Sequence, residues 1–188
     1  MDASTITGTD TIRMYGTVED SIVDGPGLRF SIFVQGCPHH CRGCHNPESW
    51  SIEGGYLQTL DSLVQEIKAA KLTQGVTLTG GEPFDQARQL IYVVRQLKQY
   101  NPALSIWAYS GYYYEDLCSD KKGRGTKELL DICDVLVDGP FEQERNSYEL
   151  IWKGSSNQRV IDLNKTREQG TIVLWQEQDL GFEPPASW

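Results

Sequence analysis

The sequence predicts an α/β fold: a parallel sheet with helical crossovers, built as an open, partial β/α barrel. Three observations carry this. Short β-branched and aromatic runs alternate with stretches whose apolar residues recur every three or four positions, the pattern of strand–helix–strand units. The distinctive loops follow the predicted strands, and in such folds the C-terminal strand ends carry the site. The 188 residues fall short of the roughly 250 typical of a closed eight-fold barrel. A single domain over 1–188 is expected, with 1–12 a loose lead-in and 178–188 a tail.

Each element has its own justification. Asp24-Gly25-Pro26-Gly27 reads as a turn, and Arg29–Gln35 reads as a strand with a period of two. Thr59 caps a helix over about 60–71 with Leu60, Leu63, Val64 and Ile67 on one face. Gly75–Thr79 is a strand that runs into Gly80-Gly81-Glu82-Pro83, a turn no strand continues through. A helix over about 85–99 follows, then a strand at 104–109 ended by Ser110-Gly111. Helical stretches at 112–118 and 126–132 precede a strand at 134–138, closed by Gly139-Pro140. Residues 141–157 read as irregular; Val160–Leu163, a short helix near 164–169 and Thr171–Trp175 complete the core.

Composition narrows the function classes. Hydrophobic content is 39%, charged content 23% and net charge −9, which suits a soluble globular protein and repels nucleic acid and anionic membrane. The basic cluster Lys121, Lys122, Arg124 and Lys127 lacks interleaved aromatic residues and reads as a solvated loop. No apolar run reaches membrane-spanning length, and the polar start MDASTITGTD has no signal-peptide pattern. A cytoplasmic protein with neither nucleic-acid nor membrane partners is expected. The five cysteines agree, because an odd number with three crowded into one loop points to metal or catalysis in a reducing compartment.

Those three thiols, Cys37, Cys41 and Cys44, stand in a C-x3-C-x2-C spacing on the loop after the first strand. Gly36, Pro38, Gly43 and Pro47 keep the segment out of regular structure. Iron–sulfur clusters normally take four thiolates, so three leave one iron without a protein ligand. Cys118 and Cys133 have apolar neighbours and read as small buried hydrophobes. Two rivals stand on spacing alone: a Cys3His zinc site completed by His39, His40 or His45, and a redox pair at Cys41 and Cys44.

The C-x3-C-x2-C loop, the aromatic-type position after it and the downstream Gly80-Gly81-Glu82-Pro83 resemble the radical S-adenosylmethionine (SAM) enzymes. Asp24–Arg29, Cys44-His45-Asn46-Pro47 and Trp50 narrow the likeness to the activating enzymes of glycyl radical enzymes. Asp134–Phe141 and Gly154–Ile161 favour the branch acting on anaerobic ribonucleotide reductase. The resemblance covers about 14–162. Asp138-Gly139-Pro140 stands where pyruvate formate-lyase activators carry Asp-Leu-Lys.

The resemblance implies a partial barrel of the radical SAM type. It implies a 4Fe–4S cluster on Cys37, Cys41 and Cys44, with SAM on the fourth iron. It further implies reductive cleavage of SAM and hydrogen abstraction from a glycine of a large glycyl radical enzyme, with a flavodoxin- or ferredoxin-type electron donor. No side chain need act as acid or base. Gly80, Gly81 and Glu82 are expected at the SAM amino group, and Gly43, Cys44 and His45 beside cluster and SAM. Ser110 is placed at the SAM carboxylate and Asp138 at the ribose. Asn157 and Arg159 are candidates for SAM or the partner groove. His39 and His40 are expected exposed, and Arg29 either pairs with Asp24 or leans toward the cluster. Trp50, Tyr112, Tyr113 and Tyr114 are expected around a lateral slot for the partner.

Overall fold

The structure is a computed structural model, in which residues 6–121 and 123–176 are described. The expected tail at 178–188 and Lys122 lie outside them. Among the described residues, seven strands are joined by five helices: β1 (Thr11–Ser21), β2 (Arg29–Val34), β3 (Tyr56–Thr59), α1 (Leu60–Ala69), β4 (Gly75–Gly80), α2 (Ala87–Tyr100), β5 (Ser105–Tyr109), α3 (Tyr114–Ser119), α4 (Thr126–Ile132), β6 (Val135–Asp138), β7 (Arg159–Asp162) and α5 (Leu163–Gln169). The strands form one open sheet in the order β3-β1-β2-β4-β5-β6-β7.

The sheet is mixed. β2, β4, β5 and β6 run parallel, as expected. The flanks correct the all-parallel expectation: β1 pairs antiparallel with β2 and β3, and β7 antiparallel with β6. A parallel neighbour needs a long crossover, usually helical. The connection over 139–158 contains only a single 3₁₀ turn, Gln143–Arg145, so the chain returns antiparallel. Thr171–Trp175 packs on the core as expected, through Ile172 and Trp175, but adds no strand to the sheet beyond an isolated bridge from Leu174 to Ile161.

Two strands escaped the sequence reading. β1 begins inside the expected lead-in, and its Ile12 and Met14 are fully buried. Gly16 and the polar Glu19-Asp20 obscure its period, and the pairing with β2 slips between Met14 and Gly16. β3 has four largely exposed residues, too few for a pattern.

Alternation along the strands divides the sheet into two faces. Ile32, Val34, Val76, Leu78, Ile106, Ala108 and Leu136 pack under α1, α2 and α4. Helix α1 starts where the Thr59 hydroxyl accepts from the Ser62 N–H, the expected cap. The other face carries Trp107, Val135 and Val137, with Tyr109, Trp152 and Trp175 against them, and the buried polar residues Arg29, Ser31 and Thr77.

Arg29 takes neither of the two roles considered for it. It stands at the N-terminal end of β2 and donates to Thr77 Oγ1 (2.6 Å), Val76 O (2.7 Å) and Ser105 Oγ (2.9 Å), under the Trp107 ring. Burial lowers its pKa to about 10. The Asp24 carboxylate instead accepts from the Ser21 and Ser31 hydroxyls. In the loop between α3 and α4, Arg124 pairs with Asp85, and Lys127, which lies within α4 rather than in the expected loop, pairs with Asp131.

Candidate functional site

The cysteine loop leaves the C-terminal end of β2, and backbone hydrogen bonds fix both of its ends. Gly36 N donates to Ser49 O (2.7 Å) and Cys37 N to Trp50 O (3.1 Å), while Cys44 N closes a turn onto Cys41 O (3.1 Å). The Gly80–Pro83 turn lies directly on its base. Glu82 N donates to Gly36 O and Gly81 N to Val34 O, both at 2.8 Å. Gly80 takes a left-handed φ of 94°, which glycine adopts without cost. A Cβ on Gly81 would run into the Gly36 backbone. Parallel pairing of Val34 with Gly80 produces this meeting, because adjacent parallel strands end at one level.

Glu82 is fully buried and ties the neighbouring loops together. Its carboxylate accepts from Phe84 N (3.0 Å), the Ser110 hydroxyl (3.0 and 3.1 Å) and Gly111 N (2.9 Å). His39 Nε2 stands 2.8 Å from Oε2. His39 was expected exposed; its side chain is only 15% exposed because it reaches in to this carboxylate. His40 is exposed as expected, its ring against Trp50.

Two adjoining cavities open at this rim. The first, about 130 Å³, is lined by Cys37, Cys41, Cys44, Gly80, Gly81 and Ser110, among others. The second, about 400 Å³, shares Cys44, Thr79, Tyr109, Phe141 and Gln158 with it and extends to Asp24, His45 and Trp152. The larger volume lies within the roughly 300–1,000 Å³ of small-molecule sites. Burial is the main cause raising the Cys37 thiol to about 11, and it raises Cys41 as well. Such thiols hold their protons until a cation replaces them.

The three thiols share a cavity, yet among the described residues no three His, Cys, Asp or Glu side chains gather on one metal-ion position. A zinc site needs four donors about 2.0–2.3 Å from one ion. An iron–sulfur cluster sets each thiolate on its own iron, so the donor set fits the larger group. Cys133 is buried behind α4, Cys118 is half-buried on α3, and neither lines these cavities.

The other candidates divide. His45 lines the larger cavity and packs on Phe141, with ring centroids 5.4 Å apart. Gly43, at φ 73°, sits against the Gln143 side chain and lines neither cavity. Ser110 lines the smaller cavity, but its hydroxyl is spent on Glu82. Asp138 is fully buried and lines neither cavity; it accepts from Arg159 Nε (2.9 Å) and Tyr114 N (2.8 Å). Arg159 also bonds Glu115, and the Asn157 amide donates to Pro140 O.

The aromatic patch expected around the slot forms differently. Trp50 backs the cysteine loop beside His40, Tyr112 meets His39 in an edge contact, and Tyr113 lies under the Arg159 guanidinium. Tyr114 packs against the helix-covered core. Phe141 and Trp152 line the larger cavity instead. Trp152 carries a left-handed φ of 60° and a buried indole N–H with no hydrogen-bond partner among the described residues. Nothing in its sequence neighbourhood marked it.

Known proteins match this sequence. The profile of the family described as 4Fe-4S single cluster domain matches residues 23–161. The anaerobic ribonucleoside-triphosphate reductase-activating protein of Pasteurella multocida (strain Pm70) is 37% identical over 145 residues, 74% of this chain and 90% of that protein. The protein of that name from Escherichia coli (strain K12) is 34% identical over 148 residues, 76% of this chain and 93% of the relative. That of Enterobacteria phage T4 is 38% identical over 143 residues, 73% and 86% respectively. With that much of both lengths aligned, and the three thiols gathered beside the Gly80–Pro83 turn, the chain belongs to the family of anaerobic ribonucleoside-triphosphate reductase-activating proteins.

Proposed function

We propose that this chain generates the glycyl radical of an anaerobic ribonucleoside-triphosphate reductase, using a 4Fe–4S cluster on Cys37, Cys41 and Cys44 and SAM in the adjoining cavity. The observation that carries this is one shared wall. The three thiols and Gly80-Gly81 line one cavity, and Cys44 also lines the next, which is large enough for a small-molecule ligand. When bound, cluster and SAM together supply one-electron reduction of a sulfonium and a carbon radical able to take hydrogen from glycine.

The protein's part is to bind, orient and exclude water. Cys37, Cys41 and Cys44 give up their protons to hold the cluster. Gly80 and Gly81 offer backbone without side chains, so a ligand's ammonium approaches closely. His45, Phe141 and Trp152 wall the larger cavity. Glu82 holds the turn through four neighbours rather than moving a proton. We read the open sheet as a partial barrel whose missing side admits an extended segment of the reductase. The electron comes from a flavodoxin- or ferredoxin-type donor, and a reducing, cytoplasmic setting suits five free cysteines.

Anaerobic reconstitution tests the reading. About four irons per chain and methionine release from SAM on reduction are expected. A colourless chain holding one zinc would contradict it.

A further inference from the structure

His39 stands midway between the first two thiols, two residues from each, and turns inward while Pro38, His40 and Arg42 stay exposed. Backbone hydrogen bonds hold the loop at Gly36, Cys37 and Cys44. Between those points the His39 side chain ties it to the turn across the rim, through the 2.8 Å contact with Glu82. The other hydrogen-bond partners of that carboxylate found among the described residues belong to the Glu82–Phe84 and Ser110-Gly111 turns. His39 alone brings the cysteine loop into the set.

The contact is built from both sides. The edge of the Tyr112 ring meets the imidazole at 4.5 Å between centroids. Gly111 leaves room for it, since a Cβ there would occupy the position of the ring. The Ser110 hydroxyl also accepts from Tyr112 N (3.0 Å), so the residue that packs edge-on with His39 is held by the group that donates to Glu82. The 2.8 Å separation of Nε2 and Oε2 is that of a hydrogen bond.

We propose that His39 is a positioning residue: through Glu82 it latches the cysteine loop to the Gly80–Pro83 and Ser110-Gly111 turns, so that cluster ligands and SAM-facing backbone move as one body. The inference rests on the cluster and SAM reading above. It gives the chain a way to make the two cofactor sites interdependent. Loading the thiols pre-orders the glycine turn, and occupying the turn steadies the thiols, since coupling between sites is reciprocal.

The test compares wild type, His39→Ala and His39→Gln, whose amide keeps a donor near the Nε2 position. Hydrogen exchange over residues 36–44 is read in the metal-free chains. The SAM-dependent change in the electron paramagnetic resonance signal of the reduced cluster is read after reconstitution. His39→Ala is expected to exchange about tenfold faster in that segment and to need about tenfold more SAM for the spectral change, the scale of one charge-assisted hydrogen bond. His39→Gln is expected to recover most of both. A His39→Ala chain that exchanges and titrates like wild type overturns the latch. So does a His39→Gln chain as impaired as His39→Ala, because the hydrogen bond is then not the cause. A wild-type chain that takes up no iron counts against the cluster reading, and exchange in the metal-free chains still decides the latch.

Discussion

At Gly81 a hydrogen atom in place of a methyl group decides whether the glycine turn can lie on the cysteine loop. A Cβ there meets the Gly36 backbone, which also accepts the Glu82 N–H. Gly81→Ala is therefore expected to cost about 1–3 kcal/mol, the usual scale of overpacking, and to weaken SAM binding because the turn lifts from the thiols. Thermal denaturation and equilibrium dialysis against SAM measure the two. Unchanged values in both would show that the close approach is not needed. Single residues were unevenly legible. Cys37, Cys41 and Cys44 are close in sequence, so their spacing alone announced a shared centre. Ser110 and Asp138 stand on the expected rim, yet their polar atoms serve Glu82 and Arg159. The partner of His39 lies 43 positions away, and no local pattern reports such a contact.

Elements carry two further predictions. Ile12 sits in a stretch that reads as a lead-in, and it is fully buried on β1. Ile12→Ala is expected to lower unfolding free energy by about 2–5 kcal/mol, as for other large-to-small core changes. A loss near zero in a denaturant titration would return β1 to the status of an appendage. At the opposite flank, Arg159 on β7 faces Asp138 on β6 in register and bonds its carboxylate. Asp138 has no exposure, so Arg159→Ala strands a buried charge, at a cost of about 3–5 kcal/mol. Adding Asp138→Asn to that variant is expected to restore part of the loss, and failure to restore any would mean that Arg159 acts by packing. The central β2, β4, β5 and β6, with α1 and α2, were legible because each buries a continuous apolar face with its own period. The antiparallel β1 and β3 were not. β1 is broken by Gly16 and an acidic run, and β3 is too short for any period to appear.

For the whole molecule, one rim of an open sheet gathers thiols, glycine backbone and a ligand cavity. The sequence revealed that convergence through the order of strand ends. It did not reveal which aromatic residues wall the cavity, because the loop over 141–157 folds back by contacts with no periodic signature: Gln158 Nε2 donates to Gly139 O (2.9 Å) and Asn157 Nδ2 to Pro140 O (2.7 Å). In the proposed function the chain acts with cluster, SAM and reductase together, so the decisive observable is the product radical. The reconstituted chain is incubated anaerobically with SAM, a reductant and an anaerobic ribonucleoside-triphosphate reductase, and the glycyl radical is read by electron paramagnetic resonance beside a Cys41→Ala control. The account predicts a glycyl radical with the wild-type chain and none with Cys41→Ala; an equal signal from both, or no radical from a wild-type chain fully loaded with iron, would contradict it.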